Sequence, residues 1–246
     1  MIKFCIALIF SLSLVSCNKW ADDPCKHRGG EKGKMEIPLQ GFQHLVINQH
    51  LPCTIHYSDT PKVILYGPTG SLPFISAEVE NDTLTLKNLN RCSWLRNYDQ
   101  SISVEIYTPR LLSILQNGSA DLTLSDSFQT PKLIFYSEHY SGNVFFNHLI
   151  TDTLMAWVNS SGSAYFNLNG KSIYTYLFIR GSSQIEATTW MSKTCHLVSY
   201  SNGNIRVQAP SEMLLGEIRY NGNIEVSRKP PQEKIVITGK GKYIYP

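Results

Sequence analysis

The feature that most constrains the fold of this chain is a glycine that returns at Gly118, Gly142, Gly162, Gly181, Gly203, Gly222 and Gly241, in steps of 24, 20, 19, 22, 19 and 19 residues. The flanking residues repeat with it: Asn117-Gly118-Ser119-Ala120-Asp121-Leu122, Ser161-Gly162-Ser163-Ala164-Tyr165-Phe166, Asn202-Gly203-Asn204-Ile205-Arg206-Val207 and Asn221-Gly222-Asn223-Ile224-Glu225-Val226. A period near twenty residues marks a stacked architecture, in which one coil cannot bury its apolar face alone and relies on its neighbours.

Residues around the glycine define a register. Two and four positions after it stand Ala120/Leu122, Val144/Phe146, Ala164/Phe166, Ser183/Ile185, Ile205/Val207, Ile224/Val226 and Tyr243/Tyr245. Three positions after it stand Asp121, Phe145, Tyr165, Gln184, Arg206, Glu225 and Ile244. Side chains alternate faces along a strand, so the first set is expected in the core and the second on the surface. A second strand before each glycine supplies inward candidates Leu112/Ile114, Ala156/Val158, Thr175/Leu177, Gly216/Ile218 and Ile235/Ile237. The same offset gives Tyr136 and Glu138 before Gly142, which fits poorly and points to an insertion or bulge in that long step. The glycine is expected at a sharp corner that needs φ > 0. Asn117, Asn143, Asn202, Asn204, Asn221 and Asn223 beside it are placed to stack as amide ladders between coils spaced roughly 4.8 Å apart.

Helical periodicity is nearly absent, and short Val/Ile/Thr/Tyr/Phe runs alternate with Gly, Asn, Ser and Pro clusters, so the chain is expected to be all-β. The N-terminus departs from this pattern. Lys3 precedes a twelve-residue apolar stretch, Phe4 to Val15, too short to span a bilayer, which ends in Leu14-Val15-Ser16-Cys17 like a bacterial lipobox. The expected organisation is a signal peptide over 1–16, a lipidated linker over 17–36, an N-terminal β subdomain over 37–110 and a glycine-repeat β-helix over 111–246, the last two packed as one domain. Lipidation at Cys17 predicts a mature protein tethered to a membrane, with the outer membrane of the cell envelope as the expected location. Export permits disulfides, and Cys25, Cys53, Cys92 and Cys195 remain after Cys5 and Cys17 are set aside. Cys25 and Cys92 lie in polar, non-periodic segments and are the disulfide candidate; Cys53 and Cys195 lie in strand-like runs and read as buried hydrophobes.

At this point the chain resembles a known family, the putative auto-transporter adhesin, head GIN domain, of exported lipoproteins. The likeness rests on Cys25 in Asp22-Asp23-Pro24-Cys25-Lys26, on Asp82-Thr83-Leu84-Thr85-Leu86-Lys87 followed by Asn90-Arg91-Cys92-Ser93-Trp94-Leu95-Arg96, and on the Gly-x-hydrophobic repeats. It extends from about Pro24 to Tyr245 and implies a right-handed β-helix-like stack of coils with no established activity.

Candidate chemistry is sparse. Net charge is +3 without a basic stripe, which argues against nucleic acid. The outward acids Asp121 and Glu225 are several coils apart, too far for the paired carboxylates of a glycosidase. Gly170-Lys171-Ser172 echoes a phosphate loop but lacks its first glycine, since position 165 is Tyr165. The seven histidines show no ligand spacing. No catalytic residue, metal or cofactor is therefore expected. Phe145, Trp157, Tyr165, Tyr176 and Phe178 are predicted to point outward and are the candidate surface-binding residues, suited to sugar rings or a protein stripe. The expected function is a non-enzymatic envelope lipoprotein presenting a β-solenoid surface to a glycan or an envelope protein. The alternatives are a carbohydrate-active β-helix enzyme and a purely structural scaffold.

Overall fold

The computed structural model describes residues 30–90, 101–138, 142–159 and 163–246. The expectations for the 1–16 leader, Cys17, Cys25, Cys92 and Gly162 lie outside the described residues. The architecture is an all-β solenoid of about six turns, without α-helix among the described residues.

Two stacks of strands face each other across the core. The front stack begins with β1 (Lys32–Pro38), antiparallel to β4 (Lys62–Pro68), which is antiparallel to β7 (Ser103–Thr108). Parallel pairing then runs from β7 through β3 (Cys53–Tyr57) to the first halves of β9 (Leu122–Glu138), β10 (Asn143–Asn159), β11 (Tyr165–Gly181) and β12 (Gln184–Ser201). It ends with β13 (Ile205–Val207), β15 (Ile224–Val226) and β17 (Tyr243–Ile244). The back stack runs from β5 (Ile75–Glu80), antiparallel to β6 (Thr83–Asn88), through β2 (His44–Asn48) and β8 (Ser113–Asn117). The second halves of β9 to β12 follow, then β14 (Met213–Ile218) and β16 (Gln232–Ile237). The four long strands of 17 or 18 residues bend from one stack into the other without leaving the ladder.

One coil is out of chain order. β2–β3 lies between β6–β7 above and β8–β9 below, so residues before and after 110 share both stacks. The antiparallel strands β1 and β5 close the upper end. At the lower end the inward rows change to polar residues: Glu233 continues the row of Leu214 and accepts a 2.7 Å hydrogen bond from Tyr243, which continues the row of Ile224. A hydrogen-bonded pair there closes the open end of the core with groups that tolerate water.

The in/out register follows the expected alternation. Leu122, Val144, Phe166, Ile185, Ile205 and Ile224 stack in one buried column. Phe166 of this column interlocks with Phe135 and Phe146, the three ring centroids lying 5.1–5.9 Å apart. The exceptions are Leu112, half-buried just before β8, and the last coil, which has no neighbour below: there Ile235 and Tyr243 are half-buried and Ile237 and Tyr245 exposed. Before Gly142 the buried residues are Leu133, Phe135 and Ser137, so Tyr136 and Glu138 face outward, one residue out of phase with the other coils.

The corner glycines need a correction. Only Gly118 (φ 155°) and Gly181 (φ 80°) among the described members of the repeat have φ > 0. Gly142, Gly203, Gly222 and Gly241 do not. Strand register explains the difference. The position that stacks corner on corner is occupied by Ala120, Gly142, Ala164, Ser183, Gly203, Gly222 and Gly241, at more even steps of 22, 22, 19, 20, 19 and 19 residues. Gly118 and Gly181 come two residues earlier, where the backbone is left-handed. In the stacked column the constraint is distance: a Cβ on Gly203 would run into the carbonyl oxygen of Ser183, one on Gly222 into that of Gly203, and one on Gly241 into that of Gly222. Asparagines tie this corner together. Asn221 donates to Asn202 Oδ1 (2.7 Å), and the backbone N–H groups of Asn223 and Lys242 donate to the side-chain oxygens of Asn204 and Asn223 (2.9 and 2.8 Å).

The opposite corner has its own glycine. Gly170 (φ 137°) sits where a Cβ would meet the Leu149 carbonyl, beneath Trp190, whose Nε1 donates to Thr175 Oγ1 at 2.8 Å. The Gly-Lys-Ser echo is thus a packing corner.

Two tests follow from the core. Gly222→Ala should cost about 1–3 kcal/mol in chemical denaturation, whereas Gly41→Ala, with nothing within 4 Å of its Cβ, should be near neutral. Equal effects would contradict the stacking constraint. Cys53 and Cys195 are buried free thiols. Burial pushes the Cys53 thiol far above its ordinary value and Cys195 up to about 12, outweighing the opposing hydrogen bond with Ser192. Both should therefore resist iodoacetamide at pH 8 until the protein is denatured, read by mass spectrometry.

Candidate functional site

An outward strand row on a two-layer β fold is ordinarily polar. The outer surface of the front stack conforms. Arg206 bridges Glu186 (3.6 Å) and Glu225 (2.8 Å), Asp121 accepts from the Asn143 backbone and side chain (2.8 and 3.1 Å), and Glu105 accepts from Tyr66 and Tyr107 (3.0 and 2.8 Å). Burial and the Glu105 hydrogen bond raise the Tyr107 phenol to about 12.

The front surface also brings His56 to the neighbouring residues Ser125 and Asp126, about seventy positions later in the chain, a meeting the sequence does not locate. Ser125 Oγ and Asp126 Oδ2 lie 3.0 and 3.2 Å from the same ring nitrogen, His56 Nδ1. Nε2 is buried with no hydrogen-bond partner among the described residues, and the ring stacks on Tyr107 at 4.9 Å. A hydrolytic triad needs the carboxylate on one nitrogen and the nucleophile on the other. This cluster puts both on one. The carboxylates Glu186 and Glu217 lie on opposite stacks, the first paired to Arg206 and the second to Arg219 at 2.8 Å. Among the described residues no group of three or more His, Cys, Asp or Glu is placed to hold a metal ion.

The back stack breaks the rule. Strand register aligns Leu115, Tyr136, Trp157, Phe178 and Val198 in one outward row, and Ile134, Met155, Tyr176, His196 and Leu215 in the next. All are half-buried except Val198, which is buried. Ring contacts form an oblique track: Tyr136 to Trp157 at 6.4 Å, Trp157 to Tyr176 at 5.2 Å and Tyr176 to His196 at 5.1 Å. Phe178 contacts Tyr200 at 5.7 Å, and Tyr200 is 45% exposed. Burial among these neighbours, with the nearby Tyr174 and Glu217, raises the Tyr176 phenol above its ordinary value, so it stays a neutral hydrogen-bonding group.

The structure therefore divides the five outward aromatics predicted from the sequence. Trp157, Tyr176 and Phe178 belong to the back-stack surface; Phe145 and Tyr165 pair with each other at 6.3 Å on the front surface. Sequence reasoning missed Tyr136, Met155 and His196. The signal for Tyr136 was the alternation Leu133, Phe135, Ser137, which places it outward once the glycine offset is set aside.

The comparisons with known proteins agree with this architecture. The family model of the putative auto-transporter adhesin, head GIN domain, matches residues 41–230. Among solved structures, a putative adhesin from Bacteroides fragilis is similar with a TM-score of 0.79 and 19% identity, over 88% of this chain and 97% of that one. A putative adhesin from Parabacteroides distasonis is similar at 0.66 and 18%, over 88% and 98%. A putative lipid binding protein from the same species is similar at 0.57 and 16%, over 87% and 97%. No curated protein matches the chain in sequence.

Trp157 and Tyr176 carry little of the core, so replacing both by Ala should shift the denaturation midpoint far less than Phe146→Ala, which should cost about 3–5 kcal/mol. A comparable loss in the two proteins would show that the track is structural packing.

Proposed function

We propose that this chain, which belongs to the putative auto-transporter adhesin, head GIN domain family, is a non-enzymatic, lipid-anchored envelope protein that uses a rigid β-solenoid to adhere. The observation that carries this reading is the aromatic surface of the back stack, an apolar outward face on a fold whose other outward face sets its one aromatic pair of candidates, Phe145 and Tyr165, among charged and amide side chains. It is held on strands inside a continuous hydrogen-bond ladder, so binding would order little of the protein. Its core is filled by its own phenylalanines, which favours a surface role over enclosing a lipid between the stacks. The Ser125–His56–Asp126 geometry lends no support to the enzyme alternative.

Anchoring at Cys17 after export would place the solenoid at the outer membrane, joined by a polar linker. A bridge between Cys25 and Cys92 would fasten that linker to the upper end. A Cβ on Gly30 would meet Thr69 and Gly70, and Asn90 Nδ2 donates to the Ser71 carbonyl (3.1 Å), so the described residues nearest the two cysteines, Gly30 after Cys25 and Asn90 before Cys92, both lie at the turn over 69–71.

Adhesion is tested with beads carrying the full chain, washed under flow over epithelial monolayers and mucin-coated glass. Retention above uncoated beads, reduced by Trp157→Ala with Tyr176→Ala, is the expected result; retention no better than uncoated beads would sink the adhesion reading. For the anchor, Cys17→Ala should move the protein from the membrane to the soluble fraction. Non-reducing peptide mapping should recover Cys25 linked to Cys92, and recovery of both as free thiols would remove the bridge.

A further inference from the structure

We infer that the back-stack track binds an extended, neutral glycan chain, one sugar unit to each successive coil; this rests on the adhesion reading and names its ligand class. Charge comes first. No Asp, Glu, Lys or Arg occurs among the outward residues from Leu115 to Val198 in one row or from Ile134 to Leu215 in the other. Charges stand only at the margins, Lys132 beyond one side, Glu138 and Arg180 on the other and Glu217 at the lower end, so a charged partner lying on the rings would face no counter-ion within the two rows and would lose hydration on approach.

Size and shape come second. The ring track crosses three strand spacings, roughly 14 Å, and is two outward residues wide, roughly 7 Å. That plan area is far below the roughly 800 Å² per partner of a standard protein interface, so a second copy or a folded protein would gain little from it. A narrow ligand running along the stack fits. One unit of an extended glycan is comparable in length to one strand spacing, roughly 4.8 Å.

Chemistry comes third. A pyranose has an apolar C–H face and a hydroxyl edge, and the track has the matching section. Rings occupy its middle, while the outward row on one side holds Lys132, Thr153, Tyr174 and Thr194 and the row on the other holds Glu138, Asn159 and Arg180. Sugar faces stack on Trp157 and Tyr176, and hydroxyls reach the flanking donors and acceptors. An apolar lipid surface would leave those flanking polar groups without partners.

The test is calorimetric titration of the full chain, held in a detergent without a sugar headgroup, with cellohexaose, xylohexaose, chitohexaose and hexagalacturonate. Binding of at least one neutral hexasaccharide, tighter than hexagalacturonate, is expected. Trp157→Ala and Tyr176→Ala should each weaken it about tenfold. Tyr176→Phe, which keeps the ring, and Phe145→Ala, on the other stack, should leave it within a few-fold, with each variant's fold checked by circular dichroism. No binding by any neutral hexasaccharide, preference for the acidic one, or binding indifferent to Trp157→Ala would overturn the inference. Bead retention that persists while no neutral hexasaccharide binds or competes would reject the glycan and leave adhesion standing. Absent bead retention would reject adhesion itself.

Discussion

Everything in this molecule depends on the close approach of backbone to backbone at the stacked corner. Parallel coils hydrogen-bond along their whole length, so successive chains must stay at strand spacing through the bend as well as along the flat stacks. Where Gly203, Gly222 and Gly241 follow one another, the carbonyl of one coil occupies the space a Cβ of the next would need. Ala120, Ala164 and Ser183 occupy the same column with side chains small enough to be buried there. The asparagine hydrogen bonds between coils satisfy polar groups that the tight bend turns away from the strand ladder. With the corner fixed, the phase of every strand follows, and with it the division between core and display.

That division is what makes a functional surface. A solenoid gives each coil two outward faces, and repetition at strand spacing turns one outward residue per coil into a line of side chains. On the front stack the line is made of paired charges and amides, such as Arg206 between Glu186 and Glu225. On the back stack the same geometry lines up Tyr136, Trp157 and Phe178. The ladder beneath holds the spacing of these rings, so a ligand meets a surface whose order has already been paid for in folding.

Much of this was legible in the chain, and the parts that were not have identifiable causes. Alternation around the glycine placed Leu122, Phe146, Ile205 and Val226 in the core correctly because a strand period of two leaves no choice once one residue is assigned. The glycine itself was misjudged: Gly181, which has φ > 0, Gly203 and Gly222, which need absence of a Cβ, and Gly118, which combines both, look alike in a sequence. Their two-residue offset also made the repeat appear less regular than it is. The outward direction of Trp157 and Phe145 was readable, but not that they lie on opposite stacks. The threading of β2–β3 between later coils leaves no local trace, and it is this threading that brings His56 to Ser125 and Asp126.

The central claim is that one of the two outward faces, the back stack, is the working surface. Carbene footprinting of the full chain, free and adhering to the surface that retains it, tests this most directly. The account predicts that labelling of Trp157, Tyr176 and Phe178 falls on adhesion while Phe145 and Tyr165 keep their free-state labelling. Protection of Phe145 and Tyr165 with the back stack unchanged would contradict it.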